Sequence, residues 1–181
     1  MNASKKYLLF FVIMLVGVGF DQLTKWIAED HFVINRHPAT GEAIEVQPRI
    51  VVAGDLFTFT YAENDGAFLS LGANWDPTIR LIVLTILPGL LLVAVMLYML
   101  RNDRVGRTEV IVFSLIASGG VGNIIDRILA GRVIDFMHMD FWGIVETGVF
   151  NIADILIMVG IGIYIVAYFR NGTKPKPEAA A

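Results

Sequence analysis

The chain has no cysteine and few charged residues. Among its 181 residues there is no Cys, and Asp, Glu, Lys and Arg together make up 17%, against about 25% in typical soluble domains. The missing thiol excludes disulfides, thiolate catalysis and a Cys-ligated metal. The formal net charge of −3 is too small to indicate a nucleic-acid partner.

Apolar residues dominate instead, at 56% of the chain with a mean hydropathy of +0.66. Four apolar segments approach the roughly 20 residues with which a helix crosses a bilayer. They cover residues 7–28, 81–100, 110–128 and 149–169. We therefore predict a membrane all-α fold with four transmembrane helices, in a single domain over residues 1–170. The polar, Pro-containing residues 171–181 predict a disordered cytoplasmic tail.

The N-terminus is similar to a signal peptide, because Lys5 and Lys6 precede an apolar run. No small-x-small cleavage site follows, so we expect an uncleaved first span. Asp21 and Lys25 near the end of this span are one helical turn apart and can form an ion pair.

Lysine and arginine predict the orientation of the spans. One side holds Lys5, Lys6, Arg101, Arg104, Arg107, Arg170, Lys174 and Lys176. Basic loops face the cytoplasm, so both termini are expected there and residues 29–80 and 129–148 outside. Trp26, Trp75 and Trp142 lie near the outer ends of spans or in outer loops, which is typical of an aromatic belt at the membrane interface.

The outer segments carry strand patterns. Residues 55–64, "DLFTFTYAEN", alternate so that Phe57, Phe59 and Tyr61 share one face, and "RVIDFMHMDF" at 132–141 is also strand-like. Together they predict a small extracytoplasmic β-sheet on the helical base.

A polar segment at 35–49, rich in turn residues, precedes these strands. It predicts an exposed periplasmic excursion, a loop or a helix, that could cover a site as a lid does.

Three aspartates are candidates for chemistry. Arg127 directly follows Asp126 and should keep that carboxylate charged, which suits a structural anchor better than a proton shuttle. Asp135 has apolar neighbours, so desolvation should raise its pKa. A nearby Asp154 would add like-charge repulsion, and two such carboxylates share a proton and can activate water. The pKa argument therefore favours Asp135 with Asp154 as the catalytic pair.

The segments Asn123-x-x-Asp126 and Asn151-x-x-Asp154 have the same spacing. Residues three apart share a helix face, and the two spans run in opposite directions, so both pairs should meet at the outer membrane level. Polar contacts of this kind also serve as simple adhesion between membrane helices. Spacing alone does not decide between these roles.

Other functions remain alternatives. Intramembrane acids also mark proton-coupled transporters, and polar contacts between helices suit an assembly protein. A metal held by Asp135, His138 and Asp140 would lack a second clustered histidine, so we predict no metal or other cofactor.

Five motifs occur in order across the four spans. They are "DQLTK" (21–25), "ENDGAF" (63–68), "GGVGNIIDR" (119–127), "VIDF" (133–136) and "FNIAD" (150–154). With this ordered set the chain resembles the lipoprotein signal peptidases, the signal peptidase II family.

The resemblance implies a bacterial inner-membrane aspartyl endopeptidase with its active site at the outer face. Such enzymes remove signal peptides from diacylglyceryl-modified prolipoproteins by cutting before the lipidated Cys. The catalytic dyad would be Asp135 and Asp154. The residues that bind substrate or support the site would be Asp21, Lys25, Asn64, Gly66, Asn123, Asp126, Arg127 and Asn151. The implied partners are prolipoproteins, membrane lipid and the inhibitor globomycin, with no nucleic acid, and we expect a monomer.

Two departures from the family pattern concern the outer segments. "NDGAF" has one small residue fewer than usual before Phe68, and the stretch from Lys25 to Asn64 is longer, with the excess expected in 35–49. They leave the contacts of this loop and the route of substrate entry open.

Overall fold

The computed structural model describes residues 2–54, 56–67, 71–102 and 104–172. Four helical segments in it are long and apolar enough to span a membrane, as predicted. They are α1 (Ala3–Phe32), the combined segment Pro77–Arg101, α4 (Arg107–Ala130), and most of α5 (Ile152–Gly172). Their outer surfaces are covered with exposed apolar side chains such as Leu15, Leu90 and Val166, which suits contact with lipid.

The second span is not a uniform helix. It consists of α2 (Pro77–Leu81), a π-helical turn (Ile82–Ile86) and α3 (Leu87–Arg101). Pro88 is the second residue of α3 and has no N–H to donate to the preceding turn, which explains the local departure from α-helical bonding.

The fourth helix begins at Ile152, three residues later than the predicted span. Phe150 is still extended and pairs with Met137 of the neighbouring strand. At the other end, the helix continues to Gly172, past the start of the predicted tail, and residues 173–181 lie outside the described part of the chain.

Helix α4 packs closely against α1 and α5 because glycines face both neighbours. A Cβ atom on Gly119 would lie 2.1 Å from the Ala153 carbonyl oxygen, and one on Gly122 would lie 2.4 Å from Asp21 Oδ2. The glycines of "GGVGN" therefore allow helix contact, as small residues do in membrane proteins.

The predicted strands form the centre of a four-stranded antiparallel sheet. Its order is β3 (Ile50–Val51), β4 (Phe57–Asn64), β5 (Val133–Phe141) and β6 (Val145–Glu146). Tyr61 is buried in a cluster with Ala28, Phe32, Phe136 and Met137, against which Phe57 and Phe59 also pack. The sheet is thus fixed to the C-terminal end of α1; Asp55 lies outside the described residues.

A bulge interrupts the pairing of the two long strands. Phe59 pairs with Met137, but Ala62 pairs with Asp135, so β4 has one residue more than β5 over this interval. Bulges redirect side chains. Beyond this one Ala62 is opposite Asp135 and Asn64 is opposite Val133, so Asn64 and Asp135 lie diagonally on the same face of the sheet.

The polar excursion is a β-hairpin, where we expected a loop or helix. It consists of β1 (Val33–Arg36) and β2 (Ala43–Val46), paired antiparallel. β-Branched residues in both strands favour the extended form, and Gly41, with φ of 68°, accommodates the turn between them.

Candidate active site

Asp135 is the third residue of β5 and is 3% exposed. Asn64 Nδ2 donates to its Oδ2 at 3.1 Å, and Asn151 Nδ2 donates to its Oδ1 at 2.6 Å. Burial, reinforced by the charge of Asp154, raises the pKa of Asp135 to about 7 in spite of these two hydrogen bonds. This carboxyl group therefore holds a proton over much of the neutral range.

Asp154 lies in the first turn of α5 and forms a capping box with Asn151. Asn151 Oδ1 accepts from the Asp154 backbone N–H at 3.0 Å, and Asp154 Oδ2 accepts from the Asn151 backbone N–H at 3.2 Å. The sequence Asn-x-x-Asp thus fulfils the reciprocal pattern of a helix start. The other oxygen, Oδ1, accepts from Asn123 Nδ2 at 3.0 Å, and the helix N-terminus favours negative charge at this position.

One residue, Asn151, connects the two carboxylates. It is fully buried; its backbone N–H contacts Asp154 and its side-chain amide contacts Asp135. The same amide donates to Asn123 Oδ1 at 3.1 Å and to the Ile134 carbonyl oxygen at 3.2 Å. Strand β5, α4 and α5 thereby hold both acids in one hydrogen-bonded unit.

Lys25 lies behind this unit and is 2% exposed. Its Nζ is 2.8 Å from Asp21 Oδ2, 2.8 Å from Asp126 Oδ2 and 3.0 Å from Asn123 Oδ1. Asp21 in turn accepts from the Ala153 backbone N–H at 2.8 Å. The predicted pair of Asp21 and Lys25 is therefore present, and it ties α1 to α4 and α5.

Asp126 has a different partner from the one we expected. Its ion pair within the described residues is with Lys25, and Arg127 instead donates to the Gly66 carbonyl oxygen at 2.8 Å. Adjacent residues on a helix do not face each other, which explains why Asp126 and Arg127 diverge. Asn123 likewise contacts Lys25, Asn151 and Asp154 rather than Asp126.

Arg127 reaches the turn that follows β4. Asn64 Oδ1 accepts from the Gly66 N–H at 2.9 Å, which closes an Asx turn, and the Gly66 carbonyl then receives Arg127. The Nε of Arg127 is buried, and no residue in the described ranges forms a hydrogen bond with it. The guanidinium thus retains donor capacity near Asp135.

All ten predicted site residues belong to one connected set of polar contacts. Sequence reasoning missed Gln22, whose Nε2 donates to Asp126 Oδ1 at 2.9 Å and to the Gly122 carbonyl at 3.2 Å. Its place inside "DQLTK", next to Asp21, was the available signal.

Asp135, His138 and Asp140, which the sequence suggested as a possible metal site, do not come together. Asp135 and His138 are an odd number of positions apart in one strand, so their side chains point to opposite faces, and His138 lies 3.9 Å from Glu146. Within the described ranges, no group of three or more His, Cys, Asp or Glu residues is arranged to hold a metal.

Four membrane-spanning helices with paired, amide-held carboxylates at one end define a membrane protein with an aspartic-peptidase type of site. The profile of the family described as "Signal peptidase (SPase) II" matches residues 13–170. The chain therefore belongs to the signal peptidase II family, as its motifs predicted, and it is a peptidase. The alternatives of a transporter and an assembly protein are thereby wrong.

Curated relatives match over nearly their whole length. The lipoprotein signal peptidase of Chlorobium phaeobacteroides (strain BS1) is 35% identical, with 92% of this chain and 99% of that protein covered. The lipoprotein signal peptidase of Geobacter metallireducens is 31% identical, with coverages of 91% and 93%.

Solved structures show the same fold. A bacterial membrane enzyme determined by the in meso method at 2.3 Å resolution has a TM-score of 0.73 at 24% identity, over 95% of this chain and 94% of that one. A second, at 1.9 Å resolution, has a TM-score of 0.68 at 26% identity, over 89% and 92%.

Proposed function

We propose that this chain removes signal peptides from lipoprotein precursors with a water molecule activated between Asp135 and Asp154. The observation that carries the proposal is Asn151, which binds one carboxylate with its side chain and the other with its backbone. The two acids that Asn151 connects have different environments, because Asp135 is desolvated while Asp154 lies at a helix N-terminus. Different environments assign different protonation states to two carboxyl groups.

In this mechanism Asp154 is the ionised member and takes a proton from the water. The resulting hydroxide attacks the scissile carbonyl carbon, while protonated Asp135 donates a hydrogen bond to the carbonyl oxygen as it becomes negative. Collapse of the tetrahedral intermediate breaks the C–N bond, and the proton held by Asp154 passes to the leaving amine. The proton on Asp135 is retained, so the dyad returns to its starting state.

Further residues have positioning roles in the proposal. Asn64 and Asn151 fix the rotamer of Asp135, and Asn123 fixes that of Asp154. Arg127, whose buried Nε has no partner among the described residues, would turn its guanidinium toward the bound precursor and donate to a backbone carbonyl there.

The substrate proposed is a prolipoprotein that already carries diacylglycerol on the Cys after the cleavage site. A lipid-bearing substrate stays in the bilayer. The dyad lies where α4 ends and α5 begins, at the level that such a substrate reaches. We further propose that the enzyme works as a monomer in bacterial inner-membrane lipid and binds globomycin at this site.

The orientation proposed places both termini in the cytoplasm and the dyad at the outer face. Lys6 Nζ donates to the Leu100 carbonyl at 3.0 Å, so the basic N-terminus and the basic end of α3 lie together. The dyad lies at the opposite ends of the helices, and basic clusters favour the cytoplasmic side.

The test is gel-shift cleavage of a diacylglyceryl prolipoprotein by the purified protein. Asp135→Asn and Asp154→Asn should each abolish cleavage, with a loss of at least a thousandfold, while both variants insert and purify normally. Asp30→Asn is the matched control, because Asp30 is exposed near the end of α1, and it should cleave at the rate of the unmodified enzyme.

Retained cleavage in either dyad variant would remove that residue from the mechanism. Globomycin should inhibit and EDTA should not; loss of activity with EDTA would contradict a reaction carried by two carboxyl groups alone.

A further inference from the structure

Strand β5 leaves the protein interior as it runs away from the dyad. Val133 is 2% exposed and Met137 is 6% exposed, whereas Phe141 is 37% exposed. Phe141 lies six positions after Asp135, which is about 20 Å of antiparallel strand. The far end of the sheet is therefore remote from the site.

Two hairpin turns lie side by side at this far end. The Asp140 N–H donates to the Leu56 carbonyl oxygen at 3.1 Å, which places the turn between β5 and β6 next to the turn between β3 and β4. Their exposed apolar side chains form what we call the apolar tip. It consists of Val51, Val52, Trp142, Ile144 and Val145, which are 49%, 56%, 80%, 82% and 61% exposed.

Trp142 has an unusual backbone conformation. Its φ is 58° and that of Gly143 is 71°, and the Ile144 N–H donates to the Phe141 carbonyl at 3.1 Å. Two left-handed central residues are typical of a type I′ turn, in which Asn or Asp usually takes the first place. Trp142 is the one non-glycine residue with positive φ in the described ranges, and a bulky residue there is strained. Because its side chain packs against little of the protein, folding does not account for its presence.

We propose that the apolar tip inserts into the bilayer that contains the four helices, in the headgroup region on the side of the dyad. The sheet starts at the ends of α4 and α5, so its root lies at the membrane surface. An arm of about 20 Å exceeds the diameter of one helix, about 10–12 Å, and is therefore long enough to reach lipid beside the helices. Exposed Trp with neighbouring Ile and Val is the composition of an interfacial anchor.

The residues behind the tip limit how deep it goes. Asp140 of β5 and Glu146 of β6 lie opposite each other in the strand register, directly behind the turn. Asp140 Oδ1 also accepts from the Gly143 N–H at 2.7 Å. Two acids at this position remain in the hydrated headgroup layer, since charge in the hydrocarbon is costly.

Such an anchor fixes the height of Asp135 above the bilayer, since β5 connects Asp135 directly to the turn that carries Trp142. This consequence rests on the proposed function, because it relates the dyad to the scissile bond of a lipid-held precursor. The insertion itself does not depend on any activity.

Fluorescence tests the insertion directly. The variant Trp26→Phe/Trp75→Phe keeps Trp142 as its single tryptophan and is reconstituted in phosphatidylethanolamine–phosphatidylglycerol vesicles, with or without bromine on the acyl chains near the carbonyl. We expect brominated lipid to reduce the emission at least twofold and aqueous iodide to have little effect. Quenching by iodide together with unchanged emission in brominated lipid would overturn the proposal and favour a soluble protein as the occupant of the tip.

Activity provides the second test. Trp142→Ser/Ile144→Ser should raise KM for the prolipoprotein at least fivefold in vesicles with kcat unchanged, and should leave cleavage in detergent micelles unaffected. Trp142→Phe/Ile144→Val is the matched control, because it keeps both side chains of the tip apolar, and it should change neither value. Unaltered KM in vesicles, or an equal loss in micelles, would contradict the anchor. If the unmodified protein cleaved no prolipoprotein, the proposed function would fail while the fluorescence result still decided the insertion.

Discussion

Two regions of the molecule are built around a single charged residue with several partners, and they differ in their access to water. Lys25 joins Asp21 and Asp126 at 2.8 Å each, with side chains between 0% and 6% exposed. Glu63 joins Arg36 at 3.0 Å and Arg132 at 3.1 Å, with side chains between 10% and 32% exposed. The first group clamps the helices, and the second attaches the β1–β2 hairpin.

The difference in burial separates a fixed element from an adjustable one. Charges at the Lys25 group cannot be hydrated if a partner is lost, so breaking the group carries a large desolvation cost. Charges at the Glu63 group keep partial access to water, so the loss of a partner costs less there than at the Lys25 group. We infer that the helix ends keep one geometry, while the hairpin, which also donates from the Ala43 N–H to Glu63 at 3.2 Å, can loosen to admit substrate.

Lys25→Met should give the largest effect on stability. It leaves Asp21 and Asp126 buried without their cation, so we expect the free energy of unfolding to fall by about 3–5 kcal/mol, measured by thermal unfolding in detergent. The triple variant Asp21→Asn/Lys25→Met/Asp126→Asn removes all three charges and should recover much of the loss. An unchanged midpoint in Lys25→Met would show that this group is no more important than a surface pair.

Asp126→Asn alone should lower stability or activity without abolishing cleavage, because Asp126 binds Lys25 and the Ile134 N–H and so acts on Asp135 only through its neighbours. Complete loss of the reaction in this variant, with Asp135→Asn still active, would reverse the assignment.

Asp135 gives the stability of this region a pH dependence. Its folded pKa of about 7 lies above the ordinary value of 3.8, so the folded state binds the proton more tightly, and the stabilisation present at acidic pH is lost as pH rises from 4 to 7. Asp135→Asn cannot ionise. As pH rises from 4 to 7, the unmodified protein should therefore lose up to about 4 kcal/mol of its free energy of unfolding relative to Asp135→Asn. Parallel pH curves for the two proteins would contradict the raised pKa.

Gly119→Ala tests the close helix contact on which the buried group depends. The added methyl would lie 2.1 Å from the Ala153 carbonyl oxygen, so α5 must move, and we expect a loss of about 1–3 kcal/mol with reduced cleavage. Gly162→Ala is the control, since a Cβ there meets nothing within 4 Å. Equal stability of the two variants would show that α4 and α5 adapt freely.

Glu63→Gln should give the smallest change in stability, about 0.5–1 kcal/mol, and less at high salt. Hydrogen exchange of residues 33–46 should nevertheless become faster, because the hairpin loses its ionic attachment. Asp65→Asn, at the more exposed pair with Arg80, controls for a general charge effect. Unchanged exchange in Glu63→Gln would show that the backbone pairing alone holds the hairpin.

Spacing and resemblance foresaw much of the site. The i, i+3 spacing of Asn151 and Asp154 predicted a shared face, and the two residues form a capping box. The apolar neighbours of Asp135 predicted its burial and raised pKa. The partner of Asp126 was not predicted, because Lys25 is about 100 residues away in sequence and only the packing of α1 on α4 brings it within 2.8 Å.

The sequence by itself determined four membrane spans, two strands and the family, because hydrophobic period and ordered motifs are local properties of the chain. It also indicated which carboxyl group would be desolvated. Only the tertiary structure decided that Lys25, rather than Arg127, pairs with Asp126, that the excursion is a hairpin held by Glu63, and that Trp142 stands exposed at the end of the sheet. These features depend on side chains from distant segments meeting at one place. Their energies depend on the water that remains there, which no local pattern specifies.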